Sequence, residues 1–365
     1  MANTVSLTRY TVGVDAYRQL PTAAQSFGNR LFVVGGHTAL AAALPRLQAA
    51  LAGSKLVLAG VQWYGGECTY NNIQACAKEA KQVEAQIIVG MGGGKALDTA
   101  KGAANLLGVP VFTLPTIAAT CAATTALSVV YDEAHKFIEF AFFAAPPVHT
   151  FIDTAVIAAA PVKYLRAGIG DTLAKHYECT FASRNDDLDH SSGMAVNLSR
   201  MCKDPLLQAG TQALQDGDAG TPSDALQQAV LANVVTTGYV SCLVAEEYNG
   251  AVAHSLFYGL TILPGFEKSY LHGDVVAYGV LVQLALDQNE RELLLLRDFL
   301  LSVGIPTCLA DIGVRYERGM LAPVLEETLT MPDMQHLPYA VTQEMLWQAI
   351  GTVEALKVTI KVTKQ

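Results

Sequence analysis

From position 87 to position 101 the chain reads Ile87-Ile88-Val89-Gly90-Met91-Gly92-Gly93-Gly94-Lys95-Ala96-Leu97-Asp98-Thr99-Ala100-Lys101. The apolar start reads as a buried strand, the glycines as a tight turn, and the remainder as a helix with small residues on one face. A strand that enters a helix through glycines is the building unit of a parallel α/β sheet, so few folds stay open. The turn also has a chemical reading. Backbone N–H groups there can approach an anion closely, and the helix N-terminus adds partial positive charge. It is either a cradle for the phosphates of a nucleotide or a packing corner without a ligand. Two standard phosphate motifs are absent. A P-loop needs Ser or Thr after Gly-Lys, and Lys95 is followed by Ala96. A G-x-G-x-x-G counted from Gly90 ends on Lys95.

The surrounding pattern extends the α/β reading. Strands are expected at 31–34, 55–61, 87–89 and 109–114, with further candidates at 127–131 and 150–157. Helical spacing covers 39–52, where Pro45 is a candidate interruption, and 72–84. This alternation predicts a doubly wound parallel sheet, whose ligands bind beyond the carboxyl ends of the strands. Gly92 and Thr116 lie at such ends. After Pro161 the pattern becomes helical, at 163–182, 191–208, 223–241, 273–286 and 290–303, with an exposed loop expected at 210–222. The boundary is placed near Ala160, giving a dinucleotide-binding α/β domain over 1–160 and an all-α domain over 161–365.

Composition bounds the function classes. A chain of 365 residues is long for one core, which agrees with two domains. With 51% apolar and 16% charged residues it is globular rather than disordered. A net charge of -9 with no basic block argues against nucleic acid. Seven scattered cysteines without a C-x-x-C pair fit a reducing cytoplasm. The first ten residues lack the apolar core of a signal peptide, and no apolar run approaches the roughly 18 residues of a membrane span.

Three further segments carry chemistry. Asp171 sits in Gly168-Ile169-Gly170-Asp171-Thr172-Leu173-Ala174-Lys175, His254 in an apolar neighbourhood, and His272 just before Gly273 and an apolar helix. Two imidazoles and a carboxylate with an open position make a competent divalent-cation site. The ion would act as a Lewis acid, stabilising an alkoxide while hydride leaves the same carbon. Taken singly, each residue also has a structural reading: a hydrogen-bonded core histidine, or an aspartate capping a helix.

Together the segments resemble the iron-containing alcohol dehydrogenase superfamily and its glycerol dehydrogenase branch. The matching stretches are Gly-Gly-Gly-Lys-x-x-Asp-Thr-Ala-Lys at 92–101, Pro-Thr-Ile-Ala-Ala-Thr at 115–120, Leu-Ser-Val-Val-Tyr at 127–131, Gly-Ile-Gly-Asp-Thr-Leu-Ala-Lys at 168–175, Gly-Leu-Thr at 259–261 and His-Gly-x-x-Val-Ala-x-Gly at 272–279. The resemblance implies an active site in the cleft between a nucleotide-binding domain and a helical domain, as in dehydroquinate synthase-like folds. It implies one Zn²⁺ or Fe²⁺ on Asp171, His254 and His272. It also implies a dinucleotide whose pyrophosphate meets Gly93, Gly94 and Lys95. Asp98 would lie near the nicotinamide, and Thr116, Thr120, Thr125, Leu127 and Tyr131 would line the rest of the groove. A small-molecule substrate and a homo-oligomeric assembly complete the expectation.

Two positions depart from the glycerol dehydrogenase pattern. Cys121 stands where that branch places an aspartate facing the polyol. Two like charges about 4 Å apart repel by about 4 kcal/mol at an effective dielectric near 20, so a cysteine there admits an anionic substrate. The string Ala118-Ala119-Thr120-Cys121-Ala122-Ala123 is similar to that of hydroxycarboxylate dehydrogenases, so the expected reaction interconverts a 2-oxo and a 2-hydroxy acid. Glycerol or a 1,2-diol is the alternative substrate. A dehydroquinate synthase-like lyase and an inactive nucleotide- and metal-binding relative are the others. Lys268, one turn before His272 if that segment is helical, is a candidate carboxylate partner or a solvated lysine. Phe257 occupies the place of a second histidine in many relatives and cannot carry a proton. The turn Gly35-Gly36-His37-Thr38 has no acid for a ribose 2′-hydroxyl, which leaves NAD and NADP both open.

Overall fold

In the computed structural model, which describes residues 4–356, Leu31, Phe32, Val33 and Val34 are all buried. A strand alternates its side chains, so burial of four in succession requires cover on both faces of the sheet. Leu31 and Val33 join Leu47, Ile87, Val89, Phe112 and Phe151 on one face. Phe32 and Val34 join Ile88, Ala77, Ala80, Ala100, Ala103 and Ala104 on the other.

The strands are β1 (Arg9–Gly13), β2 (Arg30–Gly35), β3 (Val57–Trp63), β4 (Ile87–Gly92), β5 (Val111–Pro115), β6 (Leu127–Tyr131), β7 (Phe137–Phe142) and β8 (His149–Asp153). Six of them form one parallel sheet in the order β1-β8-β5-β4-β2-β3. The chain runs outward from β2 to β3 and then back past β2 to β4. The order therefore reverses between β2 and β4, and sheets of this kind bind ligands at the carboxyl ends of such a pair. Those ends are Gly35-Gly36 and Gly92-Gly93.

Several expectations change. Strand β1 lies in a segment read only as polar; its pairing with β8 supplies its order. Strand β6 leaves the main sheet and pairs antiparallel with β7. The stretch 150–157 divides at Asp153, whose side chain accepts from Ala155 N and Val156 N and starts the helix Thr154–Ala158. Pro45 is accommodated within the unbroken helix His37–Leu51. The expected helix 191–208 breaks into His190–Leu198, a 3-10 turn and Asp204–Asp218. That last helix also replaces the loop expected from Gly210. It forms because Leu206 and Ala213 are buried, so packing outweighs the weak helix propensity of Gly210 and Gly217.

The division of the chain also differs from a single cut near residue 160. One unit runs to Leu165 and takes in Gln212–Cys242; the other is Arg166–Thr211 with the chain from Leu243 onward. The first holds both sheets. The second is helical. Its helix His272–Leu286 is apolar on nearly every side and is buried accordingly, with Asp274 and Gln283 as buried polar exceptions. Among the described residues, no helix is long and apolar enough to cross a membrane.

Candidate functional site

The second unit gathers three potential ligands from three helices. Asp171 lies mid-helix in Lys163–Ala182, His254 in the first turn of Val252–Thr261, and His272 begins His272–Leu286. Glycine lets two of these helices touch. A Cβ on Gly273 would sit 1.8 Å from the Ala167 carbonyl oxygen, and one on Gly170 would sit 2.2 Å from the Gly273 oxygen. The third helix closes through Gly279, where a Cβ would come within 2.6 Å of the Ala253 oxygen.

One ligand atom from each of Asp171, His254 and His272 lies within 4.8 Å of the other two. Asp171 Oδ1 is 3.4 Å from His254 Nε2 and 3.3 Å from His272 Nε2. Charge-assisted hydrogen bonds are shorter, about 2.7–2.9 Å. The edge of a tetrahedron with bonds of about 2.0–2.1 Å, as zinc makes to nitrogen and oxygen, is about 3.3–3.4 Å. The two edges from Asp171 match that spacing, and the third donor atom lies within reach of the same ion.

The charges are set by close neighbours. Burial would raise Asp171, but the neighbouring imidazoles of His254 and His272 outweigh it and hold it well below the usual carboxylate range. Burial would lower His254, but the carboxylates of Glu178 and Asp171 outweigh it and push the imidazolium up to about 10. Glu178 is wholly buried, and its Oε2 lies 2.5 Å from His254 Nδ1. Its Oε1 accepts from Ala251 N and His254 N, each at 2.9 Å. The Phe257 ring stands edge-on to His272, with centroids 4.3 Å apart at 84°.

The first unit has a contrasting site at the β4 turn. Gly92 takes φ 147°, a conformation that side chains strain against, and a Cβ on Gly93 would meet Ile117 at 2.7 Å. Gly93 is the N-cap of the helix Gly94–Leu107 and offers no capping side chain. The helix's first N–H groups are thus left for another acceptor. Thr116 N bonds Gly92 O at 3.1 Å, and Thr120 Oγ1 would be 3.4 Å from a Cβ on Gly94. Both threonines therefore border the turn.

Lys95 reaches Glu67 Oε2 at 2.5 Å and stands 5.1 Å over the Tyr131 ring. His135 Nδ1 shares the same carboxylate oxygen at 2.8 Å. Burial would raise Glu67, but the Lys95 and His135 contacts hold it below its ordinary value. Asp98 is buried. It pairs with Lys101 at 2.8 Å and accepts from Val129 N at 3.1 Å. Lys101 also donates to Thr125 Oγ1 and to the Leu127 carbonyl.

Residues 8–154 match the iron-containing alcohol dehydrogenase family. A glycerol dehydrogenase of Citrobacter freundii is 34% identical over 355 residues, covering 95% of this chain and 96% of the relative. Hydroxycarboxylate dehydrogenase A of Escherichia coli K12 is 35% identical over 334 residues, 90% of each chain. The chain belongs to the iron-containing alcohol dehydrogenase family. It is an oxidoreductase that acts on CH–OH groups. The crystal structure of the glycerol dehydrogenase from Schizosaccharomyces pombe superposes with a TM-score of 0.89 at 25% identity, over 100% of this chain and 94% of that one.

Within this family frame, the residues read from sequence fall into groups. Asp171, His254 and His272 come together. Phe257 joins them through His272. Gly93, Gly94, Lys95, Thr116, Thr120 and Tyr131 gather at the β4 turn. Asp98, Thr125 and Leu127 surround the buried Lys101, which ties the cradle helix to β6. Cys121 is half-buried, with its carbonyl accepting from Thr124 N at 2.9 Å.

Lys268 does not sit one turn below His272. Its short helix ends at Ser269, and Tyr270 and Leu271 are extended. Lys268 itself is exposed. Glu178 and Glu67 went unread in the sequence. Glu178 had a signal, since it lies seven residues after Asp171 on one helix and so shares its face. Glu67 lies in a loop with no period to betray it.

Proposed function

We propose that this chain is a metal-dependent, nicotinamide dinucleotide-linked dehydrogenase of small vicinal-hydroxyl substrates, glycerol foremost. The observation that carries this is the donor set of Asp171, His254 and His272, spaced at 3.3–3.4 Å around Asp171 Oδ1. Two imidazoles and one carboxylate match a catalytic zinc site with an open position, so Zn²⁺ is the ion assigned. When bound there, the ion supplies a Lewis acid for chemistry at a CH–OH carbon. The chain's own part is to hold the ligands still. Glu178 orients His254, the Gly170–Gly273 contact sets the distance between Asp171 and His272, and Phe257 gives His272 an apolar wall that carries no proton.

The turn Gly92-Gly93-Gly94 is assigned to the dinucleotide's pyrophosphate, because the turn is free of side chains, with no room for one at Gly93 beside Ile117, and the helix behind it is uncapped. Lys95, Thr116, Thr120 and Tyr131 border it. Full-length similarity to glycerol dehydrogenases supports the polyol reading.

A second reading rests on Cys121. It removes a carboxylate from a proposed substrate wall, which favours 2-oxo and 2-hydroxy acids, and hydroxycarboxylate dehydrogenase A is equally similar. One experiment separates the two. The zinc-loaded protein is assayed with NAD(H) and NADP(H) against glycerol, 1,2-propanediol, 2-hydroxy acids and 2-oxo acids. Dinucleotide reduction with glycerol at the highest kcat/KM is expected. A preference for 2-oxo acids would transfer the assignment to the second reading, and no net dinucleotide turnover on any substrate would refute both.

A further inference from the structure

The helix that carries His254 begins without a cap of its own. Its N-cap residue is Ala251, which has no side-chain acceptor. The missing acceptor comes from another helix. Glu178 Oε1 takes the N–H groups of Ala251 and His254, which are the N-cap and third helical positions. The same carboxylate's Oε2 takes His254 Nδ1. Glu178 is 0% exposed, and three donors converge on its two oxygens. One turn earlier, Lys175 donates to the carbonyl and side-chain oxygens of Asn249, which ties down the loop entering the same helix.

We infer that Glu178 is a positioning residue for the metal site, acting through His254, an inference that rests on the metal reading above. A carboxylate in this state can only accept, so Nδ1 must carry the hydrogen. Once Nε2 gives up its own proton, its lone pair faces Asp171 and His272. The ring cannot rotate without breaking its own bond, and the backbone cannot shift without losing its cap. His272 has the opposite support, a phenyl edge instead of a hydrogen bond, and its side chain is 34% exposed against 16% for His254. His254 is thus the fixed ligand and His272 the adaptable one.

The test compares Zn²⁺ affinities, measured by chelator competition, for the wild-type protein, Glu178→Gln, His254→Ala and Glu292→Gln. Glu292 is a control carboxylate that bonds Tyr177 elsewhere in the same unit. Glu178→Gln is expected to weaken zinc binding about 10- to 100-fold with unchanged circular dichroism, and Glu292→Gln to leave it unchanged. Zinc affinity in Glu178→Gln within twofold of wild type would overturn the inference while leaving the metal reading intact. Absence of stoichiometric zinc binding by the wild type would overturn both.

A second measurement needs no folded variant at position 178. Nitrogen-15 imidazole spectra of the zinc-loaded wild type, with the His254 signal assigned by its loss in His254→Ala, should show hydrogen on Nδ1. Hydrogen on Nε2 would overturn the inference.

Discussion

In the helical unit, Asp171, His254 and His272 make a site from side chains, each fixed by a neighbour: a glycine contact, a buried carboxylate, a phenyl edge. In the α/β unit, the β4 turn makes a site from the lack of side chains. Gly92 and Gly93 clear the space, and the cradle helix leaves its first N–H groups open. The two designs fail in opposite ways. The first fails when an atom is removed, the second when one is added.

The sharpest way to break this comparison is to delete ligands. Asp171→Asn and His254→Ala should each lose retained zinc and at least about 10³-fold in kcat/KM, while the dinucleotide Kd moves less than about threefold. Metal analysis, steady-state kinetics and fluorescence titration would check this. Retained zinc with full turnover would remove the site. Next in size is an addition: Gly92→Val places a branched side chain at φ 147° and should raise the dinucleotide Kd about tenfold or more. Zinc affinity should stay the same, and if it falls equally the two sites are not independent.

Cys121→Asp tests the substrate wall. Restoring the carboxylate should shift the kcat/KM ratio of glycerol to a 2-oxo acid about 10- to 100-fold towards glycerol, a part of the repulsion expected between like charges in a half-buried site. An unmoved ratio would take Cys121 off that wall. A smaller effect concerns protons. His254 is held at about 10 in the metal-free site, so at pH 7 it is protonated and must release a proton for Nε2 to bind an ion. Calorimetry in buffers of different ionisation enthalpy should find about one proton released per zinc at pH 7. The affinity should rise with pH up to about 10.

The smallest effect should not distinguish the units at all. His149 in the first and His176 in the second are both lowered from 6.5 to about 4, chiefly by burial. Their folded pKa values lie below the unfolded one, so the neutral forms stabilise the fold. That contribution is full above about pH 6.5 and is lost as the pH falls towards 4. Urea denaturation at pH 7 and pH 4.5 should show wild type losing more over that interval than either His149→Gln or His176→Gln.

The two sites were unequally legible in the sequence. The β4 turn could be read at once, because strand, glycines and helix are contiguous and each glycine's role is local. The ligands could be named but not joined, since Asp171, His254 and His272 meet only through helix contacts at Gly170, Gly273 and Gly279. Those contacts depend on tertiary packing that no periodicity encodes. Gly210 shows the same limit in reverse. It reads as a loop, yet the buried Leu206 and Ala213 hold its segment helical. Asp98 could be placed near the nicotinamide from its motif, but its pairing with Lys101, one turn along the helix, could not be read from the motif. Glu178 was within reach, because a second acid seven residues after a candidate ligand marks one helical face.

The contact at Gly273 has one more consequence. The separation of the Asp171 and His272 backbones is set by two main chains pressed together, so only side-chain rotation can vary the distance between their ligand atoms. In the proposed metal site the helix pair would be a rigid frame, and the exposed His272 ring the part that accommodates ions of different radius. Moving the frame itself would take a new atom between the helices, and a methyl group at position 273, 1.8 Å from a carbonyl oxygen, is the smallest lever that could move it.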